Sequence, residues 1–233
     1  MNNLLFVTVG TSAIHNELLG TLDGRDNQAL RDAALRYLDD PDKPTEDMGR
    51  YGSLFGDLCH ANLEFWRNDF ETVRKWIQER RYFRATSAEL LSTYILRRES
   101  KLEFKRVVLL ASDTPDGLMA ARINQSVMHS SEFQEKVQWS LTSVDCKTVP
   151  GLDKGLGSWF EEIPKVVAEA GRDQERYRVN ITGGYKGIAL AFGYLAREES
   201  KPPYSLYYLH ESLSEPMFIN ASGPLKGPAK SKF

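Results

Sequence analysis

Eight residues, Asn180-Ile181-Thr182-Gly183-Gly184-Tyr185-Lys186-Gly187, join an apolar run to an amphipathic one and restrict the chain to folds in which a buried strand hands over directly to a helix. Tyr177 to Thr182 reads as the strand. From Gly187 to Glu199 the apolar residues Ile188, Leu190, Ala191, Phe192 and Leu195 recur at helical spacing, so the glycines fall at the turn between the two elements. Glycines there let a ligand approach the backbone closely. A helix N-terminus adds unpaired N–H groups and a positive dipole end, and Lys186 adds a cation in the same first turn. The pattern suits a phosphodiester; an ordinary glycine-rich turn with a solvated lysine produces the same letters.

Elsewhere the chain repeats this strand-to-helix alternation. Leu4 to Val9 reads as a first buried strand ending in Gly10-Thr11-Ser12. Arg106 to Ala111 is a strand, Pro115 to Ser130 a helix with proline in its first turn, Val137 to Val144 a strand and Leu156 to Ala170 a helix. Leu63 to Arg81 and Ser87 to Glu99 carry helical periodicity, the second with a hydroxyl cap in Thr86-Ser87-Ala88-Glu89. Ser205 to Leu209 and Met217 to Ile219 read as a closing antiparallel pair. The expected fold is therefore α/β and Rossmann-like: a doubly wound, mostly parallel sheet with helices on both faces and right-handed crossovers. Residues 1–221 are expected to form one domain. Within it, 24–62 is a polar, acidic insertion in which Gln28 to Leu38 has helical character, and residues 222–233 form a basic tail expected to be disordered.

Composition narrows the partners. At 233 residues and 41% hydrophobic, the chain has ample core for such a domain. A net charge of −2 argues against a broadly basic nucleic-acid surface and against duplex DNA, so any nucleic-acid partner should be small and met by a local pocket. The first residues lack the cationic flank of a signal peptide, and no apolar run is long enough for a membrane span. Cys59 and Cys146 show no paired spacing with His15, His60, His129 or His210, so neither a metal site nor a disulfide scaffold is expected, and a reducing cytoplasm fits.

Three strand-end loops share one chemistry: Gly10-Thr11-Ser12, Ser112-Asp113-Thr114 and Thr182-Gly183-Gly184-Tyr185-Lys186. In a doubly wound sheet such loops converge on one crevice, so they can line a single phosphate- and ribose-binding face. Helix capping is the competing reading for Ser112-Asp113-Thr114 before Pro115, and for Thr11-Ser12. Neither the G-x-G-x-x-G dinucleotide fingerprint nor a Walker loop is present, which argues against NAD and ATP; no cofactor is expected.

The set Thr8-Val9-Gly10-Thr11-Ser12, Ser87-Ala88-Glu89, Ser112-Asp113-Thr114 with Gly117 and Ala120-Ala121, and Asn180 to Gly187 resembles the CRISPR-associated Rossmann-fold (CARF) proteins over about Leu4 to Leu209. The resemblance implies a homodimer that binds cyclic oligoadenylate, the second messenger of type III CRISPR immunity, across its two-fold axis. Cyclic tetra-adenylate suits an isologous interface by its own pseudo-two-fold symmetry. The family includes ring nucleases, which cut the messenger, and sensor halves of larger effectors. An effector is not expected in this chain: the sequence after the last strand carries no helix-turn-helix signal and no metal-nuclease carboxylate cluster.

Cleavage would then be metal-independent, the ribose 2′-hydroxyl attacking the adjacent phosphorus to leave a 2′,3′-cyclic phosphate. The residues assigned to catalysis are Lys186, for the charge of the phosphorane, and, by the resemblance, Ser12, for the scissile phosphate or the ribose. A general base is not visible; His15 lies near Ser12 in sequence but reads as a surface histidine. Arg122 and His129 match a loose R-x6-H ribonuclease pattern, yet at i and i+7 on one helix they read as surface residues. A pure sensor would use every one of these binding residues without cleavage. On that view the insertion and the aromatic segment Leu63 to Trp76 form a partner surface, whereas a lid over the ligand fits catalysis. A nucleotide-sugar or phosphosugar enzyme on a similar sheet is a third reading, open only if the resemblance is coincidental.

Overall fold

The computed structural model describes residues 4–15, 46–69, 71–73, 75, 86–100, 103–150, 156–171, 177–184, 186–195, 204–209 and 217–220. In chain order these form β1 (Leu4–Thr8), α1 (Ser12–His15), α2 (Glu46–Arg67), α3 (Ala88–Ser100), β2 (Arg106–Ser112), α4 (Pro115–His129), α5 (Ser131–Val137), β3 (Ser143–Val149), α6 (Leu156–Gly171), β4 (Tyr177–Asn180), α7 (Lys186–Leu195), β5 (Tyr204–Tyr208) and β6 (Met217–Asn220).

The six strands lie in the order β3-β2-β1-β4-β5-β6. Every pairing is parallel except that of β5 with β6, which closes the edge antiparallel. The expected α/β, Rossmann-like architecture is what the chain adopts. Sequence order reverses between β1 and β4, which lie side by side with Leu4 opposite Tyr177 and Val7 opposite Asn180. In open α/β sheets that reversal opens the crevice in which ligands bind.

Strand alternation sorts the core. In β1, Leu5 and Val7 face one side of the sheet and pack with α1 to α5, while Leu4 and Phe6 face the other and pack with α6 and α7. Helices thus cover both faces, and β1 is buried throughout, as its continuous apolar run requires.

Two expectations are corrected. The first is the polar insertion at 24–62, whose described residues are helix: α2 runs unbroken from Glu46 through Asn62 to Arg67, and helical residues resume at 71–73. Leu58, Cys59, Asn62, Phe65, Trp66 and Val73 are buried, so the described part of the aromatic segment is core rather than lid or partner surface. Scattered acids and glycines hide a narrow apolar stripe here. Trp66 fills the space between Phe65, Tyr94 and Phe133, edge-on to Phe65 and Phe133. The helix expected within 28–38, Trp76, and the tail at 222–233 lie outside the described residues.

The second correction concerns Val137 to Val144, expected as a strand. Ser130 caps a short helix, its side chain accepting from the Phe133 N–H at 3.2 Å, and that helix, α5, extends to Val137. Phe133 and Val137 point into the core at i,i+4 spacing. Gln138 ends the helix in the left-handed region at φ 53°. The strand begins only at Ser143. As an edge strand it alternates weakly, and Asp145 and Lys147 obscure its pattern.

Trp66→Ala should lower the unfolding free energy by about 3–5 kcal/mol. The check is the urea midpoint, with the slope of the transition unchanged.

Candidate functional site at the strand ends

The site is built on the loops that leave β1 and β4. Thr8, buried at the end of β1, donates its hydroxyl to the carbonyls of Asn180 and Gly183, tying the two loops together. Asn180 is buried in turn. Its amide donates to the Ser92 hydroxyl at 2.7 Å, and its side-chain oxygen accepts from the Thr182 N–H at 3.1 Å. Gly184 takes φ 81°, which only glycine adopts without strain, and a Cβ there would sit 3.0 Å from the Thr8 Cβ. These contacts fix the backbone of the glycine loop just before α7.

At the centre lies a residue that the sequence placed in a cap motif but did not mark as functional. Glu89, in the first turn of α3, is fully buried. Its Oε1 accepts from the Gly10 N–H at 2.7 Å, and its Oε2 accepts from the Ser12 hydroxyl at 2.6 Å. The Ser12 Oγ in turn accepts from the Ala88 N–H at 3.1 Å. Gly183 closes over the same carboxylate, and a Cβ there would meet the Glu89 Oε1 at 1.9 Å. A carboxylate near a helix N-terminus with two charge-assisted hydrogen bonds is compensated for its burial. In the sequence Glu89 reads as an ordinary acid in a first turn. Only its distance to residues 77 and 79 positions away along the chain distinguishes it.

The predicted site residues separate into groups. Gly10, Thr11, Ser12, Thr182, Gly183 and Gly184 come together, half-buried, at the β1 and β4 ends. The Thr182 hydroxyl accepts from the Leu209 N–H at 3.0 Å. Ser112 and Thr114 form the cap of α4 that the competing reading described: Ser112 is buried, its hydroxyl pairs with that of Thr114 at 2.8 Å, and Thr114 accepts from the Gly117 N–H at 3.2 Å. Asp113 is exposed at the β2 end, its N–H bonded to the Val149 carbonyl at 2.9 Å. Lys186 opens α7, so its backbone is where the sequence placed it. Tyr185 and the side chains of Lys186 and His15 lie outside the described residues. Arg122 and His129 are exposed on α4, and Arg122 donates to Gln125 at 2.8 Å.

Among the described residues no three His, Cys, Asp or Glu side chains cluster as a metal ion requires, and no helix is long and apolar enough to cross a membrane. Burial pushes the thiols of Cys59 and Cys146 up to about 11, which leaves them protonated and poorly nucleophilic at neutral pH.

Fold and loops together define a Rossmann-like α/β protein with polar, glycine-containing loops packed against one another at its topological switch point. The family model described as CRISPR-associated protein (Cas_APE2256) matches residues 84–221, more than half of the chain, and the protein belongs to that family. The matched region begins just before Glu89 and includes the whole β4 to α7 loop. No curated protein matches the chain.

Two outcomes are expected. Gly183→Ala should destabilise the fold by about 1–3 kcal/mol through its clash with Glu89, and most of that penalty should vanish in a Glu89→Ala background, as a double-mutant cycle of denaturation energies would register. Both thiols should react with a chromogenic disulfide at pH 8 only after unfolding, since their native pKa values near 11 leave little thiolate.

Proposed function

We propose that the protein binds cyclic oligoadenylate, cyclic tetra-adenylate in the first instance, and opens the ring by metal-independent attack of a ribose 2′-hydroxyl on the adjacent phosphorus. The products are linear oligoadenylates ending in a 2′,3′-cyclic phosphate, and the effect is to switch off type III CRISPR signalling. The observation that carries the reading is the convergence of Gly10-Thr11-Ser12 and Thr182-Gly183-Gly184 at the switch point of a sheet in a CRISPR-associated chain. The CARF-like motifs in the sequence give that crevice its ligand.

Each part has a task. Lys186, the first residue of α7, is the cation assigned to the charge that builds on the phosphorane, together with the N–H groups of the first helical turn. The glycine loop lets the ring's backbone come close. Ser12, whose proton is committed to Glu89, meets the ligand as an acceptor and so suits the ribose hydroxyl better than the phosphate. Holding the 2′-oxygen in line with the leaving 5′-oxygen supplies much of the acceleration, and no protein nucleophile is required. A homodimer acting in the cytoplasm completes the proposal, its two-fold axis matching that of the ring.

Pure sensing is the second reading, because the same loops bind phosphate whether or not they stabilise the transition state. The pure protein should convert labelled cyclic tetra-adenylate in EDTA to di-adenylate with a 2′,3′-cyclic phosphate. Lys186→Ala should slow the single-turnover rate by roughly 100- to 1000-fold, and Ser12→Ala by about 100-fold through lost positioning of the ribose hydroxyl. Tight binding with the ring left intact would make the protein a sensor.

A further inference from the structure

We infer that Glu89 is the terminal proton acceptor of the ring-opening reaction, acting through Ser12; this rests on the nuclease reading above. A 2′-hydroxyl attacks phosphorus effectively only as its proton leaves. Ser12 is too weak a base to remove that proton alone, and a lysine ammonium has no lone pair with which to accept it.

The geometry supplies the missing partner. The Ser12 hydroxyl proton points to the Glu89 Oε2 at 2.6 Å, and one Ser12 lone pair is taken by the Ala88 N–H at 3.1 Å. One lone pair is left for a ligand hydroxyl. Glu89 is itself held by the Gly10 N–H at 2.7 Å and is fully shielded from solvent. A neutral group of similar shape would brace these loops with less desolvation, since burying a carboxylate costs several kcal/mol before compensation. The fold nevertheless gives up any side chain at position 183 to admit the carboxylate.

The step balances without an added reactant. The bond from the 2′-oxygen to phosphorus forms and the bond from phosphorus to the 5′-oxygen breaks. The 2′-proton passes to the Ser12 Oγ as the Ser12 proton passes to the Glu89 Oε2. The departing 5′-oxygen takes a proton from solvent, and Glu89 later passes its own back through Ser12 to solvent, which restores the balance. Glu89 acts through Ser12 without touching a substrate atom and is a positioning residue.

The test measures cyclic tetra-adenylate binding and single-turnover cleavage for the wild type, Glu89→Gln, Glu89→Asp, Ser12→Ala and the Glu89→Gln/Ser12→Ala double variant. Glutamine keeps an oxygen for the Gly10 N–H, so Glu89→Gln should bind the ring within a few-fold of wild type. It should cut at least about 100-fold more slowly. Glu89→Asp should recover part of the rate, and the double variant should be no slower than the slower single one, because the pair acts as a unit. A proton inventory of the wild type in mixtures of light and heavy water should be bowed, reporting two protons in flight, and it decides the matter if Glu89→Gln does not fold.

Wild-type cleavage with an equally fast Glu89→Gln overturns the relay and leaves the nuclease reading standing. Equal losses of binding and rate, or a linear inventory, reduce Glu89 to a brace and overturn it too. A wild type that binds the ring without cutting overturns both.

Discussion

A single buried carboxylate holds the two halves of the site in register. Glu89 reaches from α3 to the Gly10 N–H and the Ser12 hydroxyl beyond β1, and Gly183 beyond β4 closes against it. Without that anion, the half-buried Gly10 N–H and Ser12 hydroxyl would both need new partners. An unsatisfied buried donor costs about 1–3 kcal/mol. The glycines of the two loops are thus explained from inside the protein: one lets the chain turn at positive φ, another clears room for a carboxylate.

Glu89 is in turn held by residues remote in sequence. Asn62 on α2 accepts from the Ser87 N–H at 3.0 Å, and the indole N–H of Trp66 donates to Thr86 at 3.1 Å. Ser87 caps α3, accepting from the Leu90 N–H, and donates to Asn124 on α4 at 2.5 Å. Two helices, α2 and α4, therefore fix the first turn of α3. The aromatic packing around Trp66 and the polar chain from Asn62 to Asn124 act together, the first supplying stability and the second direction. A stretch that reads as a surface insertion turns out to be the foundation of the site.

The arrangement also bears on whether such a crevice binds or cuts. In the proposed complex, phosphate recognition needs only the glycine loop and the start of α7. A serine whose proton is already committed to a buried acid contributes nothing to binding an anion, because it cannot donate to it. Its remaining lone pair is suited to a hydroxyl, and the group to be positioned in the proposed reaction is a hydroxyl. In the proposed reaction, that asymmetry between the two loops, donors at β4 and an acceptor at β1, favours chemistry over sensing.

Patterns confined to neighbouring residues were legible in the sequence. The apolar run of β1, the proline-led α4 with its Thr114 cap and the periodicity of α6 follow from local periodicity and capping, and with them the strand-helix alternation that leads to a parallel sheet. The glycine loop ahead of Lys186 was visible for the same reason. Edge strand β3 and the short α5 were not, since an exposed strand alternates weakly and the Val137 to Leu141 letters suit either state until Ser130 and the core choose. Tertiary structure alone decided that Glu89 meets Ser12 and Gly10, that Ser112 turns inward to a cap, and that Asn62 and Trp66 belong to the core. Hydrogen-bond partners 77 and 79 residues apart leave no periodic trace, because the sheet order, not the spacing along the chain, brings them together.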